Sequence, residues 1–191
     1  MFNKEVKMDR RIKYTKKIIT ETFIQLLSEK DITKITISEI CKIADINRAT
    51  FYRYYLDIYD LLDKIEEEFV MQLKNAINQE EYSVASFTKS LLEVFIVNKD
   101  LAKALFNPKN NIYFLNDVLE IAYEKCKEKW ENDLPNIAHD NIEYALVFIF
   151  NGALGIVNYW IKNDFDKDIN EIAAIIEELS CYGTKKYIYK I

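Results

Sequence analysis

Residues 36–55 read Thr36-Ile-Ser-Glu-Ile-Cys-Lys-Ile-Ala-Asp-Ile-Asn-Arg-Ala-Thr-Phe-Tyr-Arg-Tyr-Tyr55, and this stretch decides the fold. Thr36 followed three residues later by Glu39 is a capping box. The hydroxyl accepts from the Glu39 backbone N–H, and the carboxylate reaches back to the cap. A short helix follows, with Ile37, Ile40, Cys41 and Ala44 on one face. Asp45-Ile46 makes a turn, and Asn47 caps a third helix over Arg48–Tyr54. Two short helices joined by a tight turn with one buried apolar residue form a helix-turn-helix. Such a unit places its second helix in the major groove, early residues toward base edges. Phe51, Ile46, Ile37 and Ile40 form the packing face, leaving Arg48, Ala49, Thr50, Tyr52, Arg53 and Tyr54 for the outer faces. Arg, Thr and Tyr together suit phosphate and base contacts.

Outward from this core, 9–29 carries apolar residues at helical spacing (Ile12, Ile19, Phe23, Leu26, Leu27), with Lys and Arg clustered at its start. Asp57 caps a long amphipathic helix through Leu61, Leu62, Ile65, Phe69 and Leu73 to about Ile77. Further helices are expected at about 84–98, 101–107, 111–132, 140–163 and 168–187, with Pro108 and Pro135 in the breaks. Asp168 followed by Glu171 gives another N-terminal capping signature. The chain has 191 residues but only 3 Gly and 2 Pro, too few for the turns of a β protein. The expectation is an all-α fold of about nine helices. It divides into a helix-turn-helix domain at 1–56, a connecting helix at 57–79 and a larger helical bundle at 80–191, the domain to which the family resemblance named below assigns effector binding and dimerisation.

The net charge of -5 hides an asymmetry. Residues 1–55 carry 12 Lys+Arg against 7 Asp+Glu, whereas the remainder carries 14 against 24. A basic end can bind nucleic acid even when the average is acidic. Cys41, Cys126 and Cys181 are odd in number and widely spaced, which fits neither a disulfide framework nor a zinc site. They read as thiols in a reducing compartment, and the first twenty residues lack the apolar core of a signal peptide. A cytoplasmic location follows. Richness in Ile, Lys, Asn and Tyr hints at an AT-rich bacterial genome. Residues 144–161 (YALVFIFNGALGIVNYWI) lack formal charge and approach spanning length, but a helix apolar all round also suits a core or subunit interface. A buried soluble helix, in a core or at a subunit interface, is preferred to a membrane span.

Catalysis has little material. His139 is the single histidine, so a Ser-His-Asp triad or a multi-His metal site has little material. With Gly152, Gly155 and Gly183 alone, phosphate loops and dinucleotide fingerprints are excluded. Glu66-Glu67-Glu68 and Glu177-Glu178 read as solvated helix faces. No enzyme, cofactor or metal is expected.

From about Ile12 to Lys64 the sequence resembles the TetR family of bacterial transcriptional regulators. A basic first helix, the 36–47 segment, Thr50-Phe-Tyr-Arg-Tyr-Tyr55 and Asp60-Leu-Leu62 carry the resemblance. It implies DNA contacts position by position. Thr36 binds a phosphate at its helix start, and Ser38 reaches a base or phosphate. Arg48 reads a base edge, guanine by preference. Ala49 touches a thymine methyl. Thr50, Tyr52 and Tyr54 position the helix on phosphates, and Arg53 does either job. Two positions depart from the pattern. Asp45 stands where Gly is common, and Asp tolerates left-handed geometry. Ile58 stands where a phosphate-gripping Lys is usual, leaving Lys34, Lys42 or the arm of Arg10, Arg11 and Lys13 to supply that contact.

The resemblance further implies a homodimer through the two C-terminal helices, 140–163 and 168–187, binding a palindromic DNA operator as a ligand-responsive repressor. The charge-free segment is one partner face, with Gly152 and Gly155 allowing close approach, and on this reading Leu146→Asp yields monomers. Ile172, Ile175, Ile176 and Leu179 give the other stripe. Phe87, Leu91, Phe95, Tyr113, Phe114, Tyr123, Trp130 and Phe148 are candidates to line a pocket for a small apolar or aromatic inducer. The alternative is an activator, or a regulator acting through another protein.

Overall fold

Helix caps punctuate the chain where the sequence places them. The computed structural model describes residues 2–77, 84–106, 114–133 and 139–188, and among these there are nine α-helices and no strand. They are α1 (Phe2–Glu29), α2 (Ile37–Ile43), α3 (Arg48–Tyr52), α4 (Ile58–Ile77), α5 (Val84–Val97), α6 (Lys99–Leu105), α7 (Phe114–Asp133), α8 (His139–Lys162) and α9 (Ile169–Ile188). A 3-10 turn at Ile32–Lys34 links α1 to α2. Pro108 and Pro135 lie outside the described residues. The fold is all-α, as the scarcity of Gly and Pro indicates.

The chain packs as two compact units, 1–69 with 103–111, and 70–102 with 112–191. In the first, α1 packs on α2 and α2 on α3. Its buried side chains include Ile19, Phe23, Leu27, Ile35, Ile40, Phe51, Leu61, Ile65 and Phe69. Burying each large side chain of this kind contributes about 1.5–3 kcal/mol. α1 begins seven residues earlier than the apolar spacing indicates.

In the second unit α5 and α8 both pack on α9, and α7 packs on α8. Leu92, Phe95, Ala122, Ile142, Leu146, Trp160, Ile161, Ile172 and Ile176 are buried. Lys125 Nζ donates to the Ile77 carbonyl at 3.1 Å, and Asn98 Nδ2 donates to Gln72 Oε1 at 2.8 Å. Both bonds tie α4's last turns into this unit. α8 ends in a left-handed cap. Asp164 and Phe165 have φ of 62° and 57°, and the Phe165 N–H returns to the Trp160 carbonyl at 2.9 Å. The Asp164 N–H reaches the Ile161 carbonyl, completing the paired bonds of a Schellman motif. The Phe165 ring meets Trp160 edge-on at 4.9 Å, supplying the apolar contact of that motif. A non-glycine pair in left-handed geometry is costly, and this packing holds it.

The apolar helix divides differently from the sequence expectation. Asn141–Lys162 is long and apolar enough to cross a bilayer by length and composition, yet 28% of its most apolar window is buried within the chain. Leu146, at 1% exposure, lies in the chain's own core, so Leu146→Asp strikes that core rather than the partner face expected from the sequence. The outer stripe is Tyr144 (78% exposed), Phe148 (59%), Gly152, Gly155 and Tyr159. On α9, Ile172 and Ile176 are buried whereas Leu179 and Tyr182 are exposed.

Candidate nucleic-acid interface

The turn between α2 and α3 is set by Asp45. Its φ is 49°, the left-handed region, and the Ile46 N–H closes back on the Cys41 carbonyl at 3.0 Å. Asp thus takes the conformation that Gly adopts freely, because its short polar side chain tolerates it. At the start of α2, Thr36 Oγ1 accepts from the Glu39 N–H at 3.2 Å. The other half of the capping box is replaced: Lys30 Nζ sits 2.6 Å from both Glu39 carboxylate oxygens and links the end of α1 to α2. A full positive charge outcompetes a backbone N–H for that carboxylate.

Asn47 caps α3 as expected, its Oδ1 accepting from the Thr50 N–H at 2.8 Å and the Thr50 hydroxyl at 2.9 Å. The Thr50 hydroxyl hydrogen is therefore engaged within the protein, and a phosphate contact by Thr50 requires it to leave Asn47. α3 ends at Tyr52, with the Tyr54 and Tyr55 N–H groups folding back on the Phe51 carbonyl. Phe51 is fully buried, and its ring meets Tyr52 at 5.8 Å and Tyr55 at 5.6 Å. Arg48, Ala49, Tyr52 and Arg53 are exposed beside it, as are Thr36 and Ser38 on α2. Tyr54 is half-buried, with Lys16 Nζ 5.9 Å from its ring centroid.

A clamp that residue patterning missed holds the far end of α3. Asp60 Oδ2 accepts from the Leu56 N–H and from Lys64 Nζ, both at 2.8 Å, and Lys64 Nζ also donates to the Tyr54 carbonyl at 3.2 Å. The Lys64 ammonium beside Asp60 holds its carboxyl below the usual range. The signal was the Asp60/Lys64 spacing of four on a helix surface. Asp57 Oδ1 accepts from the Asp60 N–H at 2.9 Å and caps α4. Ile58 is half-buried, while Lys34, Lys42, Arg10, Arg11 and Lys13 are exposed. Burial pushes the Cys41 thiol up, countered in part by Arg48, so Cys41 is a core thiol rather than a nucleophile.

The pocket candidates scatter. Phe95 is buried in α5, and Phe87 and Leu91 are half-buried there. Tyr123 of α7 meets Phe150 of α8 at 6.1 Å, and Trp130 is half-buried. Phe148 lies on the outer stripe, its ring 3.0 Å from where a Cβ on Gly183 would stand, so Gly183 lets α9 lie close to α8. Tyr113 and the side chain of Phe114 lie outside the described residues, as does the side chain of His139.

Residues 82–180, just over half of the chain, match a TetR-type family described as a transcriptional regulator C-terminal region. An uncharacterized HTH-type transcriptional regulator of Bacillus subtilis (strain 168), YxbF, is 34% identical over 93 residues. That match covers 46% of this chain and 24% of the relative, so the chain spans about a quarter of that protein. A TetR transcriptional regulator from Streptococcus agalactiae 2603V superposes with a TM-score of 0.64 at 20% identity, covering 92% of this chain and 98% of the other. The fatty acid degradation regulator FadR from Bacillus halodurans gives 0.66 at 19%, covering 88% and 95%. The dihydroxyacetone kinase operon activator DhaS gives 0.65 at 22%, covering 91% and 98%. These structures share the fold, and the matched family is one of regulators rather than enzymes.

Proposed function

The chain belongs to the TetR family of transcriptional regulators, and from that membership we propose that it binds a palindromic operator as a homodimer and represses until a small apolar or aromatic inducer releases it. The observation that carries the DNA reading is the split between the faces of α3. Phe51 is fully buried, while Arg48, Ala49, Tyr52 and Arg53 are exposed together on a helix whose two ends are both fastened. Arg48 reads a base edge, Ala49 a thymine methyl, and Thr36, Ser38, Tyr52, Arg53 and Tyr54 serve phosphates or neighbouring bases. Thr50 joins them only by exchanging Asn47 for a phosphate.

The exposed apolar stripe on α8 and α9 supports a second copy as partner, because Tyr144, Phe148, Tyr159, Leu179 and Tyr182 are large side chains left in water on two helices that pack together. Two α3 helices then meet half-sites about 34–36 Å apart or a multiple of that. Releasing the operator tenfold requires the inducer to favour the released state by about 1.4 kcal/mol. Phe87, Leu91, Phe95, Tyr123 and Trp130 are the lining candidates; Phe148 fits the partner stripe better.

Ile58, in place of a phosphate-gripping Lys, favours a second reading, in which the protein activates or works through a protein partner. The fold of the activator DhaS is compatible with it. Fluorescence anisotropy on DNA from the gene's own upstream region, against scrambled DNA at two salt concentrations, separates the readings. Nanomolar, salt-sensitive preference for the native fragment supports the operator reading. Absence of any preferred fragment, there and in a genome-wide selection, overturns it in favour of the protein partner.

A further inference from the structure

Resting on the DNA-binding reading, we infer that Lys64 of α4 is a positioning residue for specificity: without touching DNA, it fixes where Arg53 and Tyr54 stand against the half-site. α3 ends at Tyr52, so Arg53 and Tyr54 lie beyond its last residue. Their N–H side is fastened, because the Tyr54 and Tyr55 N–H groups both return to the Phe51 carbonyl, at 2.9 and 3.1 Å. Phe51 and Tyr55, on either side, are buried, and the Tyr55 hydroxyl is hydrogen-bonded to the Thr20 side chain of α1. The carbonyl side is held by Lys64, whose Nζ donates to the Tyr54 oxygen at 3.2 Å.

Lys64 is itself aimed from two sides. Asp60, one turn earlier on α4, accepts from the ammonium at 2.8 Å through Oδ2, and the same oxygen accepts from the Leu56 N–H at 2.8 Å. An acid one turn N-terminal to a lysine is the favourable order on a helix. The ammonium also lies 5.3 Å from the centroid of the buried Tyr55 ring. The Lys64 side chain is 45% exposed, so the pair adds little to folding stability. What it fixes is one peptide. With the ammonium gone, the Tyr54 carbonyl turns to water and the 54–55 peptide plane is free to tilt. The exposed Arg53 and the Tyr54 ring move with it, while the Asn47 cap keeps Arg48 in place. Such tilts matter to a base-reading group because hydrogen bonds weaken steeply with angle.

The test uses the full-length chain, a duplex enriched by the wild-type protein from a random-sequence pool, and a scrambled duplex of equal length, titrated by anisotropy across a salt series. Lys64→Met is expected to weaken binding to the enriched duplex about threefold and to leave the scrambled one unchanged. Its urea midpoint is expected to match that of Lys167→Met, which breaks a comparable exposed pair with Glu171. The affinity loss is expected to vanish in an Arg53→Ala/Tyr54→Phe background and to persist in Arg48→Ala, as coupling through the far end of α3 requires. Lys64→Arg, which keeps a cation of similar reach, is expected to retain the wild-type preference. Unchanged affinity in Lys64→Met, or a loss that persists without Arg53 and the Tyr54 hydroxyl, overturns the inference while the DNA reading stands. So does an equal loss on both duplexes with a salt slope lower by about 1, which marks a phosphate contact. A wild-type protein that enriches no duplex overturns both.

Discussion

Arg48 and its neighbours were legible for two reasons: Phe51 needs burial, which turns Ala49 and Tyr52 outward by helical phase, and Arg48, charged and in the first turn beside the Asn47 cap, stays in water. Arg48→Ala is expected to weaken operator binding by about 1–3 kcal/mol and relax preference at a single base pair. Titration against operators changed one pair at a time checks this, and a uniform loss on every sequence would place Arg48 on the backbone instead. Asp45 was legible for a similar reason, since a turn between two short helices demands a residue that accepts positive φ. Asp45→Val puts a β-branched residue at φ 49° and should lower stability by about 1–2 kcal/mol, whereas Asp45→Gly should hold or raise it; urea unfolding followed by circular dichroism reads both. Glu66 was not legible. It read as one of three solvated carboxylates, but burial, with Asp63 adding repulsion, pushes it up to about 7. Between its ordinary value of 4.5 and about 7 the folded state keeps a proton that the unfolded state releases, so this group lowers stability as pH rises through that window. Glu66→Gln is therefore expected to stabilise at pH 8 and to do little at pH 4, measured by urea midpoints at each pH.

Element boundaries followed the caps, where one side chain decides the matter, and drifted where the apolar pattern thins. α4 starts beside Asp57 and α9 just past Asp168, whose carboxyl is held below its usual range by the Asn170 N–H. α1 runs further toward the N-terminus because Lys, Glu and Met favour helix without marking a buried face. α3 is shorter than its pattern because the chain folds back on the Phe51 carbonyl and Lys64 fastens that corner. In α8 the sequence offered no phase at all: with apolar residues all round, it cannot tell Leu146 from Phe148. The packing can, because α7 and α9 cover one side only. The α8 end was equally silent, since Asp164 and Phe165 are not residues that announce left-handed geometry. At this scale the Asn47 cap is the decisive contact for α3. Asn47→Ala is expected to cost about 0.5–2 kcal/mol of stability and to free the Thr50 hydroxyl. Thermal unfolding reads the first effect. Operator affinity that falls with Asn47→Ala and is kept by Asn47→Ser, which still caps, reads loosened positioning of α3.

The molecule as a whole carries a basic first third and an acidic remainder, so DNA attracts one end and repels the rest. That arrangement suits a dimer held by its second units, with both α3 helices offered to one duplex. In the proposed dimer, strength would come from linkage: once one head is bound, the second would meet its half-site at high effective concentration, a gain on the order of 10²–10⁴. The two faces of α8 make the idea separable from mere stability. Phe148→Asp places a carboxylate on a side chain already 59% exposed in the single chain, so the protomer should keep its helicity while the apolar stripe loses its partner. Sedimentation is expected to show monomers, and operator affinity to fall by the linkage factor, with the base preference set by Arg48 intact. Leu146→Asp, at 1% exposure, buries an unpaired charge in the protomer and should lose helicity instead. If Phe148→Asp sediments as an unchanged dimer, the subunits meet elsewhere and the exposed stripe has another occupant. If it is monomeric yet binds the operator undiminished, one head suffices and the palindromic reading fails.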